Sequence, residues 1–130
     1  MKSIKFINDP KLYNPTNAFV VHLSGISSEG QLFNELNNKI KFPDYFGFNW
    51  NAVYDCLRDF HWIKQKKIVL IHDELPKLNQ EILSTYLRVL AAAVQDWQAE
   101  DKHYLEVVFP QAVESLVGMC LSYEQDLSSK

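Results

Sequence analysis

Three short apolar runs, dense in β-branched and aromatic side chains, limit what this chain can fold into. They are residues 18–24 (AFVVHLS), 67–72 (KIVLIH) and 104–109 (YLEVVF). Each has the length of a strand. The second is apolar without alternation, the pattern of a parallel strand buried on both faces. Gly25 closes the first run and Pro110 the third. The stretches between them have helical period. Leu32, Phe33, Leu36 and Ile40 share one face of a helix expected over about 29–40, with Ser27 or Ser28 as its cap. A second helix is expected after Asn49, where Trp50, Val53, Tyr54, Leu57 and Phe60 recur at helical spacing. A turn of helix is expected within 73–78. The longest pattern opens at Asn79 or Gln80 and carries Ile82, Leu83, Tyr86, Leu87, Val89, Leu90, Ala93 and Val94 on a broad apolar face up to about Trp97. Strands that alternate with helices argue for an α/β fold with a small parallel sheet.

The flanks are read differently. Residues 1–17 carry two prolines and no clear period, so they are expected to form an extension with a short strand at 3–7. A final amphipathic segment, 113 to about 123, offers Leu116, Val117 and Cys120 as a docking face. The expected organisation is therefore an extension over 1–17, a domain over 18–110, and a C-terminal helix and tail over 111–130 docked on that domain.

A chain of 130 residues can bury a real core without disulfides or metal. With 47% hydrophobic and 22% charged residues it is not a disordered chain. The net charge of −3 argues against a nucleic-acid partner, because phosphate contacts need clustered cations, and suits a basic protein partner. The Lys64, Lys66 and Lys67 cluster reads as a solvated turn before a strand. No run approaches a membrane span, and the N-terminus lacks the apolar core of a signal peptide. A cytoplasmic protein with reduced Cys56 and Cys120 and no membrane partner is expected. The four histidines show no metal-ligand spacing and the glycines form no phosphate loop, so no metal and no cofactor are expected.

The segment most informative about function is FPDYFGFNWNAVYDCLRDF, residues 42–60. A Pro- and Gly-punctuated aromatic loop leads through Asn49 into the second helix. Asn51, Asp55, Arg58 and Asp59 lie off the centre of the helix's apolar stripe. A loop rich in Tyr and Phe beside a helix bearing carboxylates is a face suited to gripping a cationic partner.

This ordered string also resembles the barstar family, intracellular inhibitors of barnase-type ribonucleases. The match is carried by Phe42-Pro43-Asp44-Tyr45-Phe46-Gly47, Asn49-Trp50-Asn51, Ala52-Val53-Tyr54-Asp55 and Cys56-Leu57, within a stretch of about twenty residues. Elsewhere the likeness is one of element order and hydrophobic pattern. The resemblance implies a barstar-like fold: a three-stranded parallel sheet packed with about four helices, here with the N-terminal extension and an extra C-terminal helix. It implies an antitoxin-like inhibitor that does no chemistry, needs no cofactor, is a monomer when free, and binds a basic ribonuclease or ribonuclease-like toxin.

The partner-binding residues that follow are Tyr45, Phe46, Gly47, Asn49, Asn51, Tyr54, Asp55, Asp59 and Asp96. In the family, the Asp at position 55 takes the place of substrate phosphate among the enzyme's catalytic cations. A carboxylate offers two acceptor oxygens in one plane, suited to bidentate Arg contacts. Tyr45 matches the loop aromatic that stacks on the enzyme, and Tyr54 serves either the interface or the core. Asn49 caps the helix, and Gly47 permits the tight backbone turn that aims the loop. Asp96 is the candidate for the family's late carboxylate on the long helix, with Glu100 as the alternative. There are departures: Asn51 replaces a second Asp of the best-known inhibitor, and Asp59 replaces a small residue. Two other readings stay open. One is a barstar-fold interaction module with a partner other than a ribonuclease. The other is a small enzyme using Cys56 and a histidine.

Overall fold

A computed structural model describes residues 4–128. The three apolar runs form strands β2 (Ala18–Leu23), β3 (Lys67–His72) and β4 (Tyr104–Pro110). They pair in parallel, β2 with β3 and β3 with β4. The expected parallel α/β fold is present, but the sheet has four strands, not three. Ile4–Ile7 forms β1 and pairs in parallel with β4, Ile4 opposite Val107, giving the order β1-β4-β3-β2. Without β1 the edge of β4 would present unpaired backbone groups. The partner lies about a hundred positions along the chain, beyond the reach of any local pattern. Ser3 of the expected strand lies outside the described residues, as do residues 129–130 of the expected tail.

Between β1 and β2 the chain crosses beneath the sheet. A turn of 3-10 helix at Pro10–Leu12 is followed by Tyr13, which packs with Ile7, Ala18 and Val20 against Val69, Ile71 and Val108. On this face Glu106 is almost fully buried. Its carboxylate accepts from the Tyr13 hydroxyl at 2.7 Å and pairs with Lys5 at 3.1 Å and Lys67 at 3.4 Å. Burial pushes the Glu106 carboxyl upward, but these partners outweigh it and hold it below the ordinary carboxylate value. Lys67 is thus drawn out of the solvated cluster, whereas Lys64 and Lys66 stay exposed.

The opposite face of the sheet carries the helices: α1 (Glu29–Ile40), α2 (Trp50–Leu57), α3 (Gln80–Asp96) and α4 (Glu114–Ser128). Each of the first three starts at a side-chain cap. Ser28 accepts from the Gln31 amide at 3.1 Å, Asn49 from Ala52 at 2.8 Å and Asn79 from Ile82 at 2.9 Å. Ser28, not Ser27, is therefore the cap of α1. The core joins Leu32, Leu36 and Ile40 of α1, Val53 and Leu57 of α2, and Leu87 and Leu90 of α3 to Ile68, Leu70 and Leu105 of the sheet. His72, at the end of β3, is fully buried. Its Nδ1–H donates to the Val108 carbonyl at 3.0 Å, so Nε2 accepts from the Tyr86 hydroxyl at 2.6 Å.

Three expectations are corrected here. Residues 73–78 form no helical turn. Pro76 disfavours helix for the residue before it, and the segment instead packs alongside the β2–α1 connection, with the Lys77 amide donating to Ile26. The second helix ends at Leu57 rather than near Phe60, whose φ of 54° is left-handed. Phe60 is nonetheless fully buried, its ring stacked on Trp97 at 5.6 Å. On α4, Val117 and Cys120 are buried, but Leu116 points outward and is 45% exposed. Trp50 is only partly buried; it sits edge-on to Phe33 and donates its indole N–H to Glu29 at 2.8 Å.

Candidate functional site

The sequence of α2 alternates between two tasks. Val53, Cys56 and Leu57 point into the core and are fully buried. Asn51 and Asp55 are therefore left outward on the same eight-residue helix, with Arg58 exposed at its C-cap. The C-terminal end of α2 is held by Trp97, whose indole N–H donates to the Leu57 carbonyl at 3.0 Å, so the last turn of α2 is fixed against the end of α3.

That junction gathers the charges. The Arg58 guanidinium lies 3.9 Å from the centre of the Tyr54 ring. Its Nη2 is 2.9 Å from Asp55 Oδ1, and its Nη1 is 3.6 Å from Asp96 Oδ2. The Tyr54 hydroxyl donates to the same Asp96 carboxylate, and that hydrogen bond holds it above its ordinary value. Asp55 remains the most open of these carboxylates, with 62% of its side chain exposed.

A second carboxylate centre stands beside the first. Asp59 accepts from the Tyr45 hydroxyl at 2.7 Å and from the His61 Nδ1–H at 2.8 Å. Partial burial pushes the Asp59 carboxyl up, but Tyr45 and His61 more than offset it and hold it below the usual value. The Tyr45 hydroxyl is raised by desolvation and by the same Asp59 bond. Tyr45 is thus an exposed aromatic held in one orientation. A cleft of about 670 Å³ opens next to these groups, lined among others by Arg58, Asp59, His61, Asp96, Trp97 and His103.

The structure brings Tyr45, Tyr54, Asp55, Asp59 and Asp96 together. Asn51 is exposed at the N-terminal end of α2, on a groove shared with Tyr54 and Arg88. Three of the expected contact residues also have structural roles within the loop. Phe46 is buried against Phe33, Phe42 and Phe48 and is not presented at the surface. Asn49 spends its carboxamide internally, accepting from Ala52 and donating to the Gly47 carbonyl at 3.2 Å. At Gly47 the need is space. The left-handed residue of the loop is Phe48, with φ 53°, and a Cβ on Gly47 would sit 3.1 Å from the Asn49 side-chain nitrogen. Arg58 and His61 were not among the expected contact residues. The available signal was a cation three positions after Asp55, within reach on a helix.

The Cys56 thiol is poorly placed to act as a nucleophile. Cys56 is fully buried and does not line the cleft. Burial, with Asp59 nearby, pushes its thiol up to about 11, so it carries little thiolate at neutral pH. Among the described residues no group of three or more His, Cys, Asp or Glu side chains could hold a metal ion. No described helix is long and apolar enough to cross a membrane.

A four-stranded parallel α/β domain that carries a rigid acidic and aromatic face, with its cysteine thiol sealed beneath, has the features of a protein-binding module. Residues 16–110 match the family model described as Barstar (barnase inhibitor), and the chain belongs to the barstar family. No curated protein matches the chain.

Proposed function

We propose that this protein inhibits a barnase-type ribonuclease by seating Asp55 in the enzyme's active site. The observation that carries this reading is the exposed Asp55 carboxylate, fixed on a helix whose other face is sealed in the core, with Tyr45 and Asp59 beside it. A ribonuclease active site is built to hold phosphate with desolvated cations. A planar carboxylate on a rigid helix meets those cations at low entropic cost and in bidentate geometry. Tyr45, whose hydroxyl is already tied down, supplies stacking area without losing further freedom on binding. The surface does no chemistry and uses no cofactor in this role.

The test is a titration of the protein into barnase while RNA cleavage is followed. Stoichiometric loss of cleavage is expected, and undiminished cleavage at a large excess of the protein would overturn the reading for barnase-type enzymes. Asn51 in place of a second carboxylate, and Asp55 already paired with Arg58, favour a second reading in which the same face binds a basic protein of another kind. A native-cell pull-down that recovers a non-nuclease partner, lost on Asp55→Ala, would identify that case.

A further inference from the structure

An inhibitor that presents carboxylates to a cationic site must keep them presentable while it is free. Here the two carboxylates at the α2–α3 junction are not left to water. Arg58 places one guanidinium nitrogen 2.9 Å from Asp55 and another 3.6 Å from Asp96, with its central carbon over the Tyr54 ring. That is the arrangement an arginine of a bound partner would need: a fork across two carboxylates, stacked on an aromatic ring.

We propose that Arg58 is an internal stand-in for the partner's cation, which the partner must displace to reach Asp55 and Asp96. This rests on the ribonuclease-inhibitor reading of the same face and specifies what the partner must bring. Arg58 and Asp55 are exposed over 40% and 62% of their side chains, so their pairing is a weak, screened surface contact that can be released. A partner offering a single solvated cation gains nothing by exchange, since it replaces one guanidinium with an equivalent one. A site that fixes two or more desolvated cations next to each other pairs both carboxylates at once and gains. Arg58 thereby selects for a phosphate-type cationic pocket over generic basic surfaces, a discrimination made by an element that competes with the wrong partner. On release the guanidinium leaves the Tyr54 ring and opens that face for stacking.

The experiment measures association and dissociation with barnase by stopped-flow and calorimetry at fixed ionic strength. Arg58→Gln is expected to bind roughly twofold to fivefold more tightly, the upper scale of a lost surface ion pair. Arg58→Lys keeps one charge but cannot fork, so it should tighten binding by a smaller factor; it carries the same comparison should Arg58→Gln fold poorly. Lys11→Gln makes the same change in net charge on the segment beneath the sheet, and should alter affinity by less than about twofold because solvent and salt screen it. The Arg58→Gln gain should shrink in an Asp55→Ala background. Arg58 variants that bind no better than the parent, or less well, would overturn the stand-in role while Asp55→Ala still abolishes binding. If the parent and Arg58→Gln both fail to bind barnase, or if Asp55→Ala binds as the parent does, the inhibitor reading itself falls and the stand-in role with it.

Discussion

At the scale of single residues, the face and the core place opposite demands on ionisable groups. Asp55 is held by one exposed ion pair and supports no packing. Asp55→Ala should therefore cost no more than about 1 kcal/mol of stability, the usual ceiling for a surface pair. Binding to a ribonuclease should weaken by at least about 2 kcal/mol, because the enzyme's cations would be closed in without a counter-charge. Thermal melts and calorimetry on one preparation separate the two effects. His72 is the reverse case. Burial pushes its imidazole down to about 4 from an ordinary 6.5, since a cation there would lie in an apolar core. As pH falls below about 6.5 the unfolded chain takes up a proton that the native state refuses, so stability declines until about pH 4, by up to about 3 kcal/mol from this group. Glu106 and Asp59, held below the carboxylate range, add stability at neutral pH that is lost as acid protonates them. NMR titration isolates the histidine: the His72 ring should stay neutral at pH 5.5, and a midpoint near 6.5 would contradict the buried, hydrogen-bonded assignment.

At the scale of elements, α2 is short and depends on its neighbours. Eight residues do not form a stable helix in isolation. Its position comes from Leu57 in the core, from the Asn49 cap, and from Trp97 at its C-terminal end. Leu57→Ala should cost about 2–5 kcal/mol in a denaturant melt. A loss under about half a kcal/mol would mean that the helix faces are reversed. The N-terminal segment is an element too. Tyr13 ties it to the nearly buried Glu106, so Tyr13→Phe should cost about 1.5–3 kcal/mol, the range for a hydrogen bond to a charged group. An unchanged melting curve would show that the Tyr13–Glu106 hydrogen bond adds nothing to the fold.

At the scale of the whole molecule, the net charge of −3 and the carboxylates gathered at one end of α2 and α3 set up attraction to a basic partner. Asn51→Asp adds a carboxylate to the exposed side of α2. It should raise the association rate with barnase at low salt, with the gain fading as salt screens it. Stopped-flow rates across an ionic-strength series provide the measurement, and a gain independent of salt would point to a local contact rather than to steering.

Elements marked by local repetition are legible in the sequence alone. β2, β3, β4 and α1 follow from apolar runs and helical spacing, and the caps Asn49 and Asn79 from residue type and place. Asp55 and Tyr45 are marked by an ordered motif, not by periodicity. What depended on distant partners was not legible. Four residues of β1 carry too short a pattern to announce a sheet edge, and their partner strand lies at the other end of the chain. Phe46 and Tyr45 are adjacent aromatics in one loop; only the closing of Phe33 and Phe42 around Phe46 decides which is buried. Arg58 is one more surface cation until α3 brings Asp96 to its other side, 38 positions along the chain. Periodicity records which side of an element is apolar, because that choice is made residue by residue. Which charges meet is decided by how elements pack, and that information is spread over the whole chain.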